Sequence, residues 1–87
     1  MHRSNAYSAL ANELEKWRMI PSAELAALVG APATRIAVHC GGEELEIEID
    51  LAWEGFDKKA VRVLGTANGP SSWRLERLQE SIVVPLR

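Results

Sequence analysis

Imidazole, thiol and carboxylate groups gather in one stretch of this chain: His39 and Cys40, then Glu44, Glu46, Glu48 and Asp50. A histidine beside a carboxylate can serve as a base with its orienting partner, or the two can ligate a metal. A deprotonated thiol is a nucleophile. A row of carboxylates can hold a divalent cation or meet a basic partner. Spacing selects among these. Nothing in the sequence places a third ligand or a nucleophile beside His39 and Glu44, so the pair reads as solvated side chains near a turn. Hard cations need carboxylates that converge on a point, whereas alternate strand residues stand about 6.5 to 7 Å apart in a line. The acidic row therefore reads as a solvated face or a partner surface. Gly41-Gly42 lacks the Gly-Lys-Ser or Gly-x-Gly-x-x-Gly pattern of a phosphate loop, and no Ser-His-Asp or Cys-His arrangement can be argued. The expectation is a chain that is not an enzyme, with no cofactor and no metal.

The elements that must position these groups form a β-hairpin. Leu45, Ile47, Ile49, Leu51 and Trp53 alternate with Glu44, Glu46, Glu48, Asp50 and Ala52, the period of a strand with one dry and one wet face. Ile36, Val38 and Cys40 alternate in the same way with Arg35, Ala37 and His39. A two-residue turn at Gly41-Gly42 sets Cys40 opposite Glu43. Val38 then meets Leu45 and Ile36 meets Ile47 on the dry face, while His39 meets Glu44 and Arg35 meets Glu48 on the wet one. A slip of one residue would send every one of these side chains to the wrong face. The pattern makes Cys40 a buried apolar thiol.

The flanking segments supply cover for the dry face. Tyr7, Leu10, Leu14 and Trp17 form one stripe of a helix over residues 4 to 19, with Ser4 or Asn5 as its cap and Glu15 and Arg18 as an i,i+3 pair. Pro21 stops that helix, and Ser22 caps a second one with Leu25, Leu28 and Val29 on its apolar side and Gly30 at its left-handed end. Beyond a loop at 54 to 59, Ala60 to Thr66 reads as a third strand, with Arg62 beside Asp50 or Ala52. Asn68 to Ser72 is a loop by composition. Residues 73 to 77 and Ile82 to Val84 read as two further short strands, although Leu75, Leu78 and Ile82 also fit a helical face. The predicted fold is α+β: two N-terminal helices packed on an antiparallel sheet of three to five strands, in one domain over 1–87.

Composition narrows the function. With 47% hydrophobic and 25% charged residues among 87, the chain has ordinary globular values. It has no apolar run near the roughly 18 residues of a membrane span and no signal-like apolar core. The lone Cys40 has no neighbouring cysteine with zinc-site spacing, which suits a reducing compartment, so a cytoplasmic location is expected. A net charge of −2 gives no global attraction to nucleic acid. Trp17 and Trp53 fall on dry faces and read as core, whereas Trp73 follows a loop and joins Glu44, Glu46, Glu48 and Asp50 as the candidates for partner contact.

Ser22 to Gly30, followed by Ala-Pro-Ala-Thr-Arg-Ile, resembles the first helix and turn of a helix-turn-helix segment. With the hairpin as a wing, the element order resembles a winged helix, and the resemblance implies duplex DNA as partner and Ala33 to Cys40 as recognition helix. The residues themselves point elsewhere. That segment is β-branched with Arg35 as its only permanent cation, and a wing lined by Glu44, Glu46 and Glu48 repels phosphates. The reading that follows is a non-catalytic protein-interaction or self-associating module, with a helix-turn-helix regulator and a small acidic neutralising protein of the immunity type as alternatives. Homodimerisation is expected through an interface that includes residues 73 to 84, because the first hairpin strand or the C-terminal segment must form an unprotected sheet edge.

Overall fold

The computed structural model describes residues 3–40, 43–68 and 78–86. Two helices, α1 (Arg3–Trp17) and α2 (Ser22–Leu28), precede four strands: β1 (Thr34–Cys40), β2 (Glu43–Trp53), β3 (Ala60–Asn68) and β4 (Leu78–Pro85). The strands pair antiparallel in the order β1-β2-β3-β4, which confirms the α+β architecture. The hairpin register is the expected one, with Val38 opposite Leu45, Ile36 opposite Ile47, His39 opposite Glu44 and Arg35 opposite Glu48.

Leu45, Ile47 and Ile49 of β2 and Val61, Val63 and Ala67 of β3 form a buried layer with Leu10, Leu14 and Trp17 of α1 and Leu25 of α2. Each fully buried aliphatic side chain here contributes about 1.5–3 kcal/mol relative to exposure. Trp53, on the same face, is half-buried against this layer. α1 lies mainly over β3 and β4 and touches β1 less. It can come close because Gly65 faces it: a Cβ built there would stand 2.7 Å from Leu10 Cδ1 and 3.1 Å from Leu14 Cδ2. The glycine is a notch in the sheet that seats the helix.

Several boundaries differ from the sequence reading. α1 ends at Trp17, and the amides of Arg18, Met19 and Ile20 close tight i→i−3 turns onto Glu15, Lys16 and Trp17. Pro21 explains this, since a residue before proline is pushed out of the helical region. Pro21, and not Ser22, holds the N-cap position of α2, its carbonyl accepting from the amides of Glu24 and Leu25. Gly30 takes the left-handed φ of +85° expected of it. β3 runs two residues past Thr66, because Ala67 and Asn68 continue the ladder opposite Ile47 and Glu46. β4 begins at Leu78, well before Ile82, and its pairing along β3 rules out the helical alternative there. The strand expected at 73 to 77, residues 69 to 72 of the loop expected at 68 to 72 and Trp73 lie outside the described residues, as does the side chain of Cys40, while Asn68 itself belongs to β3.

One tie joins the ends of the chain. The Tyr7 hydroxyl donates to Glu80 Oε2 at 2.6 Å, and the Ser81 amide donates to Glu80 Oε1 at 3.2 Å. The Tyr7 bond, then the Ser81 amide, hold the Glu80 carboxyl below the usual carboxylate range. The same bond, with the nearby negative charge, raises the Tyr7 phenol. A depressed carboxyl contributes stability above its unfolded titration range and loses it as pH falls through the folded one. Tyr7→Phe should therefore lower the melting temperature slightly near neutral pH, and the gap from wild type should shrink as Glu80 is protonated. A gap of constant size across the acid range would contradict this linkage.

Candidate functional site

The second face of the sheet has no described helix or strand across it, and it carries the acidic row. Strand alternation brings Glu44, Glu46, Glu48 and Asp50 of β2 onto it, because Leu45, Ile47 and Ile49 are held in the core. On the same face stand Arg35, Ala37 and His39 of β1, Arg62, Leu64 and Thr66 of β3, and Gln79, Ser81 and Val83 of β4.

The electrostatics are uneven. Arg35 Nε donates to Glu48 Oε1 at 3.3 Å, as the cross-strand register predicts. Arg62 sits opposite Ala52 but turns along the sheet to Glu54, with Nε to Oε2 at 2.6 Å and Nη2 to Oε1 at 2.9 Å. This bidentate pair keeps the Glu54 carboxyl low and the Arg62 guanidinium high. Of the two neighbours expected for Arg62, the register gives Ala52, and the guanidinium charge compensates Glu54 and not Asp50. Among the described residues, Glu44, Glu46 and Asp50 are exposed and make no ion pair. Beside them the face is more apolar: half-buried Leu64 lies opposite Asp50, and Val83, 40% exposed, lies opposite Arg62. Thr66, buried, accepts from Gln79 Nε2 at 3.3 Å.

His39 and Glu44 are Cα partners near the hairpin end, and both are exposed. No group of three or more His, Cys, Asp or Glu side chains with metal-holding geometry occurs among the described residues. The segment that the helix-turn-helix resemblance would make a recognition helix is strand β1, paired along its length with β2. No protein-family model, curated protein or solved structure matches the chain. No described helix is long and apolar enough to cross a membrane.

Sequence reasoning placed four of its five contact candidates on one surface, and the fifth, Trp73, lies outside the described residues. The sequence reading did not pair Leu64 with the acids: the β3 register sets it opposite Asp50, and the β4 register sets Val83 opposite Arg62, two strands from the acids of β2.

Proposed function

We propose that this protein is a non-catalytic interaction module that meets a protein partner with the open face of its sheet. The observation that carries this reading is the exposed, unpaired set Glu44, Glu46 and Asp50 on a face that no described element covers. The face suits a partner surface with lysine or arginine side chains beside a small apolar patch, the acids steering encounter and Leu64 with Val83 supplying area to bury. The same charges disfavour a nucleic-acid backbone.

Carbodiimide coupling, which joins a carboxylate to a nearby amine, tests this in cells that contain the protein. Coupling should link Glu44, Glu46 or Asp50 to lysines of a partner. A Glu46→Lys/Asp50→Lys variant of unchanged circular dichroism should lose that partner, while Lys16→Glu, on α1, should keep it. Loss of the partner in neither variant, or a salt-sensitive gel shift with duplex DNA, would overturn the reading.

A further inference from the structure

The sheet has two outer strands, and they are treated differently. β4 carries two devices that discourage further pairing: Pro85 at its end, and Glu80 on the core-facing side, opposite Gly65 and tied to Tyr7. β1, Thr-Arg-Ile-Ala-Val-His-Cys, has no proline, no lysine and no inward-pointing charge. Among the described residues it pairs with β2 alone. Its core-facing side chains Ile36 and Val38 are only partly buried, because α1 lies over β3 and β4. Between α1 and this edge runs a groove of about 520 Å³, lined by Ala9, Asn12, Glu13 and Lys16 on one side and Val38 and His39 on the other.

From this we infer that β1 is a dimerisation edge whose occupant is the β1 of a second copy of this chain, paired antiparallel about Ala37 to make one eight-stranded sheet. The register follows from three requirements. Core-facing residues must stay on one side of the combined sheet, so each residue must oppose one of its own parity. Centring the pair on Ala37 overlaps all seven residues, with Ile36 opposite the partner's Val38, Arg35 opposite the partner's His39, and Thr34 opposite the partner's Cys40. The polar row is compatible with this register. Across the open face it reads Glu48 and Arg35 from one copy, then the partner's His39 and the partner's Glu44, so that the adjoining Arg35 and the partner's His39 are bracketed by one carboxylate on each side. The small Ala37 side chains meet on the two-fold axis, which leaves the two Glu46 carboxylates on opposite sides of them.

The core face agrees as well. One apolar row continues from Leu45 and Val38 into the partner's Ile36 and the partner's Ile47. The partner's Ile36, standing opposite Val38, enters the groove below α1 and completes the cover that α1 leaves short. The same contact is made twice, as a two-fold interface requires. This association does not depend on what the open face binds.

Sedimentation equilibrium across the micromolar range tests it. The wild-type mass should rise with concentration from 9.6 kDa towards twice that value. Ala37→Pro, which removes a main-chain donor at the centre of the edge, should hold the mass at that of the monomer. Ala37→Glu, which sets two added carboxylates together on the axis beside both Glu46 side chains, should do the same with unchanged circular dichroism, and it decides the matter if the proline variant fails to fold. The register has its own readout. In Thr34→Cys, oxidised with diamide, each introduced cysteine should bond to Cys40 of the other copy, since opposed strand residues have Cα atoms about 4.5–5.5 Å apart. Within one chain the two positions are about 20 Å apart along an extended strand, beyond disulfide reach. A wild-type monomer at every concentration, a dimer undiminished in Ala37→Glu, or links only between like positions would overturn the inference.

Discussion

Ile47→Asp should unfold the domain. Ile47 is fully buried at the centre of the sheet, opposite Ile36 on one side and Ala67 on the other, with Leu45 and Ile49 beyond it on the same strand. The substitution removes an aliphatic side chain from a packed layer, a change that costs about 2–5 kcal/mol when the replacement is alanine. It also places a carboxylate among the apolar side chains Ile36, Ala67, Leu45 and Ile49, which adds the cost of a buried unpaired charge or of its neutralisation. Together these should exceed about 4 kcal/mol, a large part of what a domain of this length can hold. Glu46→Lys, one residue away and exposed, should change stability by less than about 1 kcal/mol and can relieve repulsion within the acidic row. Urea denaturation followed by circular dichroism measures both. Comparable losses from the two substitutions would contradict the assignment of buried and open faces.

Gly65→Val should also destabilise the domain, by less than Ile47→Asp and for the opposite reason. A strand glycine replaced by a residue with a side chain ordinarily gains about 0.5–1 kcal/mol from reduced backbone freedom. Here the first added carbon alone stands 2.7 Å from Leu10 Cδ1, and Leu14 and Ile49 close the remaining sides at 3.1 and 3.4 Å. Leu10 is fully buried, so either its terminal methyl groups must repack within the core or the helix must shift away from the sheet. Overpacking of this kind costs about 1–3 kcal/mol, and the β-branched side chain places Gly65→Val above Gly65→Ala. The cause can be isolated. In a Leu10→Ala background the Cδ1 atom is gone, so Gly65→Ala should cost less there than in the wild type, with a coupling of about 0.5 kcal/mol or more. Additive losses in that cycle would show that Gly65 matters for another reason.

The period-two alternation from Arg35 to Trp53 carried the hairpin, its register and the membership of the acidic face, because which side of a strand a residue faces is a local property of the extended chain. Arg35 with Glu48 and Glu15 with Arg18 could be read for the same reason: strand register and helix pitch bring them together whatever else the chain does. Loop composition likewise announced the break after Trp53 and the left-handed end at Gly30. The rest depended on which elements meet. Nothing near Gly65 in sequence says that a helix will cross it, and nothing near Tyr7 points to Glu80, 73 residues away. Arg62 had Asp50 and Glu54 both within reach of its strand position, and only the path of the chain beyond Trp53 brought Glu54 into the bidentate geometry. The start of β4 was set by the length of β3 available for pairing and not by the β-branched run that made Ile82 to Val84 conspicuous. Which edge is blunted and which is open also emerged only in three dimensions. An inward charge protects an edge strand only once the sheet has given that strand an inside, and the sheet order that does so is a property of the whole fold.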